Sequence, residues 1–136
     1  MAKQQLTGMT GVYLVAAELS RRGFIASPTS RSAQGADILV TDVECKKSFA
    51  VQVKSNARTF GFWLLGAKAK TFQSKTLIYA FVNLRKDRTD IYLVPSIFVA
   101  KNFNVSKPSK TRQPAWHAIR LGQVEKYKDN WKIFDK

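Results

Sequence analysis

The sequence predicts an α/β fold, a single domain with a central mixed sheet of about four to five strands flanked by helices. Three observations carry that reading. Thr7 to Arg22 places apolar residues at Met9, Val12, Tyr13, Ala16 and Leu19, in the three- and four-residue steps of an amphipathic helix. Two runs rich in β-branched residues, Ala36 to Asp42 and Ser48 to Lys54, are separated only by Val43 to Lys47, the spacing of a hairpin. Thr76 to Leu84 is almost continuously apolar, as expected of a central strand covered on both faces. A chain of 136 residues with 45% hydrophobic content can bury one core but hardly two.

Along the chain, Thr7 or Thr10 is placed to cap the first helix, Arg21 and Arg22 suit its last turn, and Gly23 ends it. Phe24 to Ala26 reads as a short strand and Ser27 to Gln34 as a polar loop leading to Gly35 and Asp37. After the hairpin the pattern weakens. Ser55 to Arg58 suggests a loop, Phe62 to Leu65 is apolar, and Lys68 to Ser74 reads as a short helix. Arg85 to Arg88 is a turn, Asp90 to Val94 a returning strand, and Pro95-Ser96 opens a helix through about Asn102. A basic C-terminal extension starts near residue 101. It comprises the Ser, Lys and Pro loop Asn104 to Pro114, then Trp116 to Lys136 as a short helix and a tail packed on the core.

Composition narrows the chemistry. Cys45 is the only cysteine and His117 the only histidine, which excludes an internal disulfide, multi-cysteine zinc sites and sites built on several histidines. No run is long and apolar enough for a transmembrane helix, and Met1 to Gln5 lacks a signal peptide's apolar segment, so the expected location is the cytoplasm. The net charge of +14 is unevenly spread: residues 1–53 hold six basic and four acidic groups, the rest seventeen and five. Such a surface attracts nucleic acid or another polyanion without saying whether sequence is read.

One constellation stands out on the hairpin. In Ser48 to Lys54 the period of two sets Gln52 and Lys54 on one face, roughly 6.5 to 7 Å apart. With the turn centred near Cys45 and Lys46, Asp37 falls opposite Lys54 and Leu39 opposite Gln52, so that a carboxylate, an amide and an ammonium converge. A slip of one residue would separate them. Spacing alone leaves two readings open, a chemical site or a cross-strand ion pair on a solvated face.

Gly35-Ala36-Asp37 followed by Gln52-Val53-Lys54 resembles the core of the PD-(D/E)XK nuclease superfamily, with Ala36 in place of Pro and Gln52 in place of the second acidic residue. Gly8 and Gly11, Glu18 to Phe24, Gly35 to Val40, Val51 to Lys54, Trp63 and Tyr92 to Ser96 extend the similarity over most of the chain. Their order looks like that of small bacterial endonuclease-like and Holliday junction resolvase-like members. The resemblance implies a restriction endonuclease-like core and a Mg2+ or Mn2+ cofactor held by Asp37, Gln52 and the backbone carbonyl of Val53. It makes Lys54 the residue that orients or activates the attacking water, with Asp37, Gln52 and Lys54 as the catalytic set. Related sequences often carry Glu directly after the helix glycine, where this chain has Val12.

Glu18 is the remaining carboxylate on the first helix and forms a favourable i, i+4 pair with Arg22. Asp42 and Glu44 read as solvated turn residues and His117 as structural. Trp63 reads either as core or as a base-stacking surface. Arg58, Lys68, Lys70, Lys75, Lys107, Lys110 and Arg112 are the candidate phosphate contacts. Three functions fit: a Mg2+-dependent endodeoxyribonuclease, a DNA-binding module on the same fold without catalysis, and a basic RNA- or ribosome-associated protein. The expected partner is DNA, with RNA as the alternative and a second copy of the chain where two strands are cut.

Overall fold

Helix α1 (Ala2–Arg21) opens a computed structural model that describes residues 2–30, 35–57, 61–106 and 115–135. Its start differs from the sequence reading, because neither threonine caps it. Thr10 lies inside the helix and its hydroxyl donates to the Leu6 carbonyl at 2.7 Å, the back-bonding open to a mid-helix threonine. The buried stripe is Val12, Val15, Ala16 and Leu19, whereas Tyr13 is 60% exposed. At about 100° per residue Val15, Leu19, Val12 and Ala16 follow one another across an arc of about 100°, and Tyr13 is carried off that face. The end is as expected: Gly23 takes φ +95°, and the Phe24 amide donates back to the Leu19 carbonyl at 3.0 Å.

Among the described residues eight strands follow: β1 (Ile25–Pro28), β2 (Ile38–Thr41), β3 (Ser48–Asn56), β4 (Phe62–Leu65), β5 (Leu77–Leu84), β6 (Thr89–Pro95), β7 (Asn104–Val105) and β8 (His117–Arg120). Five form the central mixed sheet in the order β1-β2-β3-β5-β6, with β3 and β5 parallel and the other pairs antiparallel. Helix α2 (Ser96–Asn102) follows directly on β6, with Pro95 as its cap residue.

The β2–β3 hairpin is antiparallel as predicted, but its register is shifted by two residues, so that Leu39 faces Ala50 rather than Gln52. The turn explains the shift. Asp42 accepts hydrogen bonds from the amides of Lys46 at 2.7 Å and Lys47 at 2.9 Å, while Cys45 takes φ +58°. The loop therefore closes tightly around Asp42 and brings Ser48 opposite Thr41. A two-residue shift leaves each side chain on its predicted face.

Both faces of the sheet are covered. On one, Val51, Val53, Ile78, Ala80, Val82 and Leu93 meet the α1 stripe together with Trp131 and Phe134 from a C-terminal 3-10 turn (Trp131–Asp135). Gly11 sets how closely α1 approaches β3: a Cβ there would lie 1.8 Å from the Ser55 hydroxyl oxygen and 3.3 Å from a Val53 methyl. On the other face, Tyr79, Phe81, Tyr92 and Val94 pack against Trp63, Val99, Ile119 and Val124.

That second layer departs from the sequence reading. Residues 117–120 form β8, not part of a helix, and pair with β4 to give a small sheet in the order β4-β8-β7. The pairing sets Ile119 opposite Trp63, both buried, so tertiary burial decides a four-residue stretch with little local preference. A short helix α3 (Leu121–Val124) comes only after it. Residues 68–74 form successive turns, with one i to i−4 bond from Phe72 to Lys68. Only Ala69 and Phe72 turn inward there, too little apolar surface to offset helix nucleation.

Candidate functional site

The site grows from the point where β2 begins. Asp37 directly precedes the strand, and Ile38 is the cross-strand partner of Val51, yet the Asp37 amide also donates to the Val51 carbonyl at 2.8 Å. Two consecutive residues thus face one, the arrangement of a β-bulge, which re-aims a side chain. Before the bulge Gly35 takes φ +84° and turns the chain away, with a Phe72 ring carbon 3.3 Å from where its Cβ would be. β2 therefore ends before it can serve Val53, and the Asp37 carboxylate does so instead: the Val53 amide donates to Oδ2 at 2.8 Å. Thr29 fixes the same corner from outside, its amide donating to the Asp37 carbonyl at 2.9 Å and its hydroxyl to the Ala36 carbonyl at 2.7 Å.

A residue in a strand directs its N–H and C=O to the same edge. The Val53 carbonyl accordingly points to the β3 edge at which its amide meets Asp37. Gln52 and Lys54 flank it on the sheet face shared with their β5 partners Tyr79 and Phe81, two buried rings stacked at 5.2 Å. Lys54 is half-buried, and the loss of water lowers its pKa, while the nearby Asp37 carboxylate acts in the opposite direction. No direct ion pair joins the two. Among the described residues the salt bridges are those of Glu18 with Arg21 and Arg22, Lys46 with Glu44, and Asp90 with Arg88 and Lys128.

Lys54 stands between two clefts and lines both. A narrow one of about 250 Å³ includes Gly35, Gln52, Lys68, Phe72 and Tyr79. A wider one of about 890 Å³ runs between the first two turns of α1, the end of β3 and β4. Asp37 is half-buried and outside the lining of either. Burial pushes the Tyr79 phenol up to about 12, so it keeps its proton.

The predicted set of Asp37, Gln52, Val53 and Lys54 is therefore brought together, with Asp37 serving Val53 rather than opposing Lys54. Lys68 lines the narrow cleft, whereas Lys70 and Lys75 are exposed away from both. Arg58, Lys107, Lys110 and Arg112 lie outside the described residues. Trp63 is 3% exposed and its indole N–H donates to the Val82 carbonyl at 3.1 Å, which makes it core. Glu18 is held by Arg21 and Arg22, each at 2.6 Å. Hydrogen bonding from Arg21 is the largest cause of its lowered pKa. Val12 is buried in the core on the other side of the sheet from Gln52 and Lys54.

Sequence reasoning missed Phe72 and Tyr79 as site walls. Tyr79 was within reach of it: once β3 and β5 are paired in parallel, period two puts Tyr79 beside Gln52. Phe72 carries no such signal, since its position comes from turns.

No family model matches the chain, nor does any curated protein. Among solved structures, the chain is similar to Archaeoglobus fulgidus Hjc, a Holliday junction resolvase from an archaeal hyperthermophile. The TM-score is 0.54 at 14% sequence identity, with 87% of each chain covered. The likeness is one of fold.

The donors suit a hard cation. A carboxylate, an amide oxygen and a backbone carbonyl are all oxygen ligands, and Mg2+ is commonly held by one or two carboxylates while keeping several waters. Among the described residues no group of three His, Cys, Asp or Glu side chains gathers, so Asp37 supplies the site's anionic charge.

Proposed function

We propose that the chain is a metal-dependent endonuclease acting on DNA phosphodiester bonds. One observation carries the reading: the bulge at Asp37 places a carboxylate at the β3 edge where the Val53 carbonyl emerges, between Gln52 and Lys54. The chain as a whole is strongly basic, and the fold is shared with a Holliday junction resolvase. Asp37, Gln52 and the Val53 carbonyl would hold Mg2+ or Mn2+. Bound there, the metal would polarise the phosphate and lower the pKa of its water. Lys54, partly desolvated, orients that water and stabilises negative charge growing on the phosphoryl oxygens. Lys68 on the cleft wall, with Arg58, Lys70, Lys75, Lys107, Lys110 and Arg112, would grip flanking phosphates.

The test is incubation of the purified protein with supercoiled, linear, single-stranded and branched DNA, with Mg2+, Mn2+ or EDTA, beside Asp37→Ala and Lys54→Ala. Metal-dependent cutting by wild type alone supports the reading, and the variants expose a contaminating nuclease. The buried Val12 and the neutral Gln52 favour a second reading, a DNA-binding module without catalysis on the same fold. It predicts salt-dependent binding with no cutting under any of these conditions.

A further inference from the structure

We infer that the wide cleft beside Lys54 receives an unpaired nucleotide of the DNA strand, its base stacked on Trp116. The substrate is then a strand unpaired next to the bond that is cut. This rests on the nuclease reading of Asp37 and Lys54 and adds the class of DNA to it.

The two long walls of the cleft differ in chemistry. Along α1 stand Lys3, Gln4 and Thr7, a cation and two hydrogen-bonding side chains in the helix's first two turns. Across from them are Phe62 and Leu64 of β4 and the Trp116 ring. Trp63 is tied to Val82 as part of the core, whereas Trp116 is 47% exposed and Leu64 49%. The Trp116 backbone is clamped to Ser106, which receives the Trp116 amide on its hydroxyl at 3.0 Å and donates its own amide to the Trp116 carbonyl at 2.9 Å. The backbone is thus held at this point, and the indole stands about half-exposed on the lining of the cleft.

A cationic, polar wall facing an aromatic one is the composition that binds single strands, with phosphates on the cations and bases on the rings. Size points the same way. About 890 Å³ falls within the range of pockets that enclose a small organic ligand, room for a nucleotide or two and far too little for a duplex. In a duplex, moreover, the base faces are already stacked, so a ring can reach one only after the base has left the stack. Because Lys54 also belongs to this cleft, the nucleotide held there adjoins the phosphate at the proposed catalytic lysine.

The test separates this inference from the nuclease reading by measuring binding in EDTA. The probes are a labelled thymidine oligonucleotide and a blunt duplex of equal length, read by fluorescence anisotropy. Trp116→Ala is expected to weaken the single strand about tenfold while the duplex changes by less than about twofold, and Trp116→Phe to retain most of the affinity. Equal weakening of both probes, or of neither, overturns the inference. A second measurement needs no variant. Of three tryptophans, Trp63 and Trp131 are buried, so acrylamide quenching reports chiefly on Trp116. The oligonucleotide should protect it and the duplex should not; no protection by the oligonucleotide overturns the inference. Single-strand protection in a protein that never cuts DNA would instead sink the nuclease reading and leave the cleft's ligand standing.

Discussion

The Val53 amide donates to the Asp37 carboxylate at 2.8 Å, taking from a side chain the acceptor that β2, ended at the bulge, does not provide. Asp37 therefore has a structural role besides its proposed chemical one, and two substitutions separate them. Asp37→Ala leaves a buried strand N–H without its acceptor and should cost about 1–3 kcal/mol in a urea melt. Asp37→Asn keeps an acceptor oxygen in place and should cost less than about 1 kcal/mol. Both should lower cleavage by at least about a hundredfold, since each removes the anionic donor. Full activity in Asp37→Asn would remove the carboxylate from the mechanism.

Lys54 should titrate below its ordinary 10.5, because burial penalises its charged form more than Asp37 favours it. The direction fixes the linkage. With the folded pKa below the unfolded one, the unfolded chain binds more protons between the two values, so stability rises with pH across that window. Side-chain NMR of the lysine through the alkaline range would measure it. Asp37→Asn should move the pKa further down, because the opposing carboxylate charge is gone. Lys54→Met should abolish cleavage without destabilising the protein near neutral pH.

Glu18 is quarter-exposed and shared by two arginines on the helix flank, a surface pair worth about 1 kcal/mol at most. Its lowered pKa makes that small contribution present above the ordinary carboxylate value of 4.5 and lost as pH falls through the folded value. Glu18→Ala should change metal-dependent cleavage by less than about twofold, as expected of a group outside the site. A large loss of activity with an unchanged melt would make Glu18 the missing acidic ligand.

Period-two alternation in β3 was sufficient to place Gln52 and Lys54 on one face, and because the register error was two residues rather than one, that face survived. The bulge was not legible. It arises from Gly35, Thr29 and the closure of the turn around Asp42, contacts between segments that no local pattern records. The same holds for β8, whose strand form is decided by Trp63 across the small sheet. In α1 the apolar steps were read one stripe too wide, since Tyr13 fits the period of three and four as well as Val15 does. Trp116 gave only an aromatic in a basic tail; its exposure beside Lys54 is a product of the second sheet.

Gly11→Ala should destabilise the protein by about 1–3 kcal/mol, because the new Cβ would overlap the Ser55 hydroxyl and force α1 off β3. The Ser55 hydroxyl is buried with no hydrogen-bond partner, so Ser55→Gly removes the obstruction without breaking a bond. In a double-mutant cycle the pair should show coupling of about 1 kcal/mol or more, with Ser55→Gly recovering much of the Gly11→Ala loss. Additive effects would mean that the helix yields elsewhere.

Gln52→Glu tests the neutral donor directly. The substitution keeps size and shape and adds a negative charge on the face where Lys54 lies one strand repeat away. Two effects should follow together. The Mg2+ concentration for half-maximal cleavage should fall by about tenfold or more, because a second carboxylate strengthens a site that has only Asp37 for charge. The Lys54 pKa should rise, because an opposite charge within reach favours the ammonium. A rise in the Lys54 pKa without any change in metal dependence would separate Gln52 from the metal while leaving it beside the lysine. The proposed donor set would then reduce to Asp37 and the Val53 carbonyl.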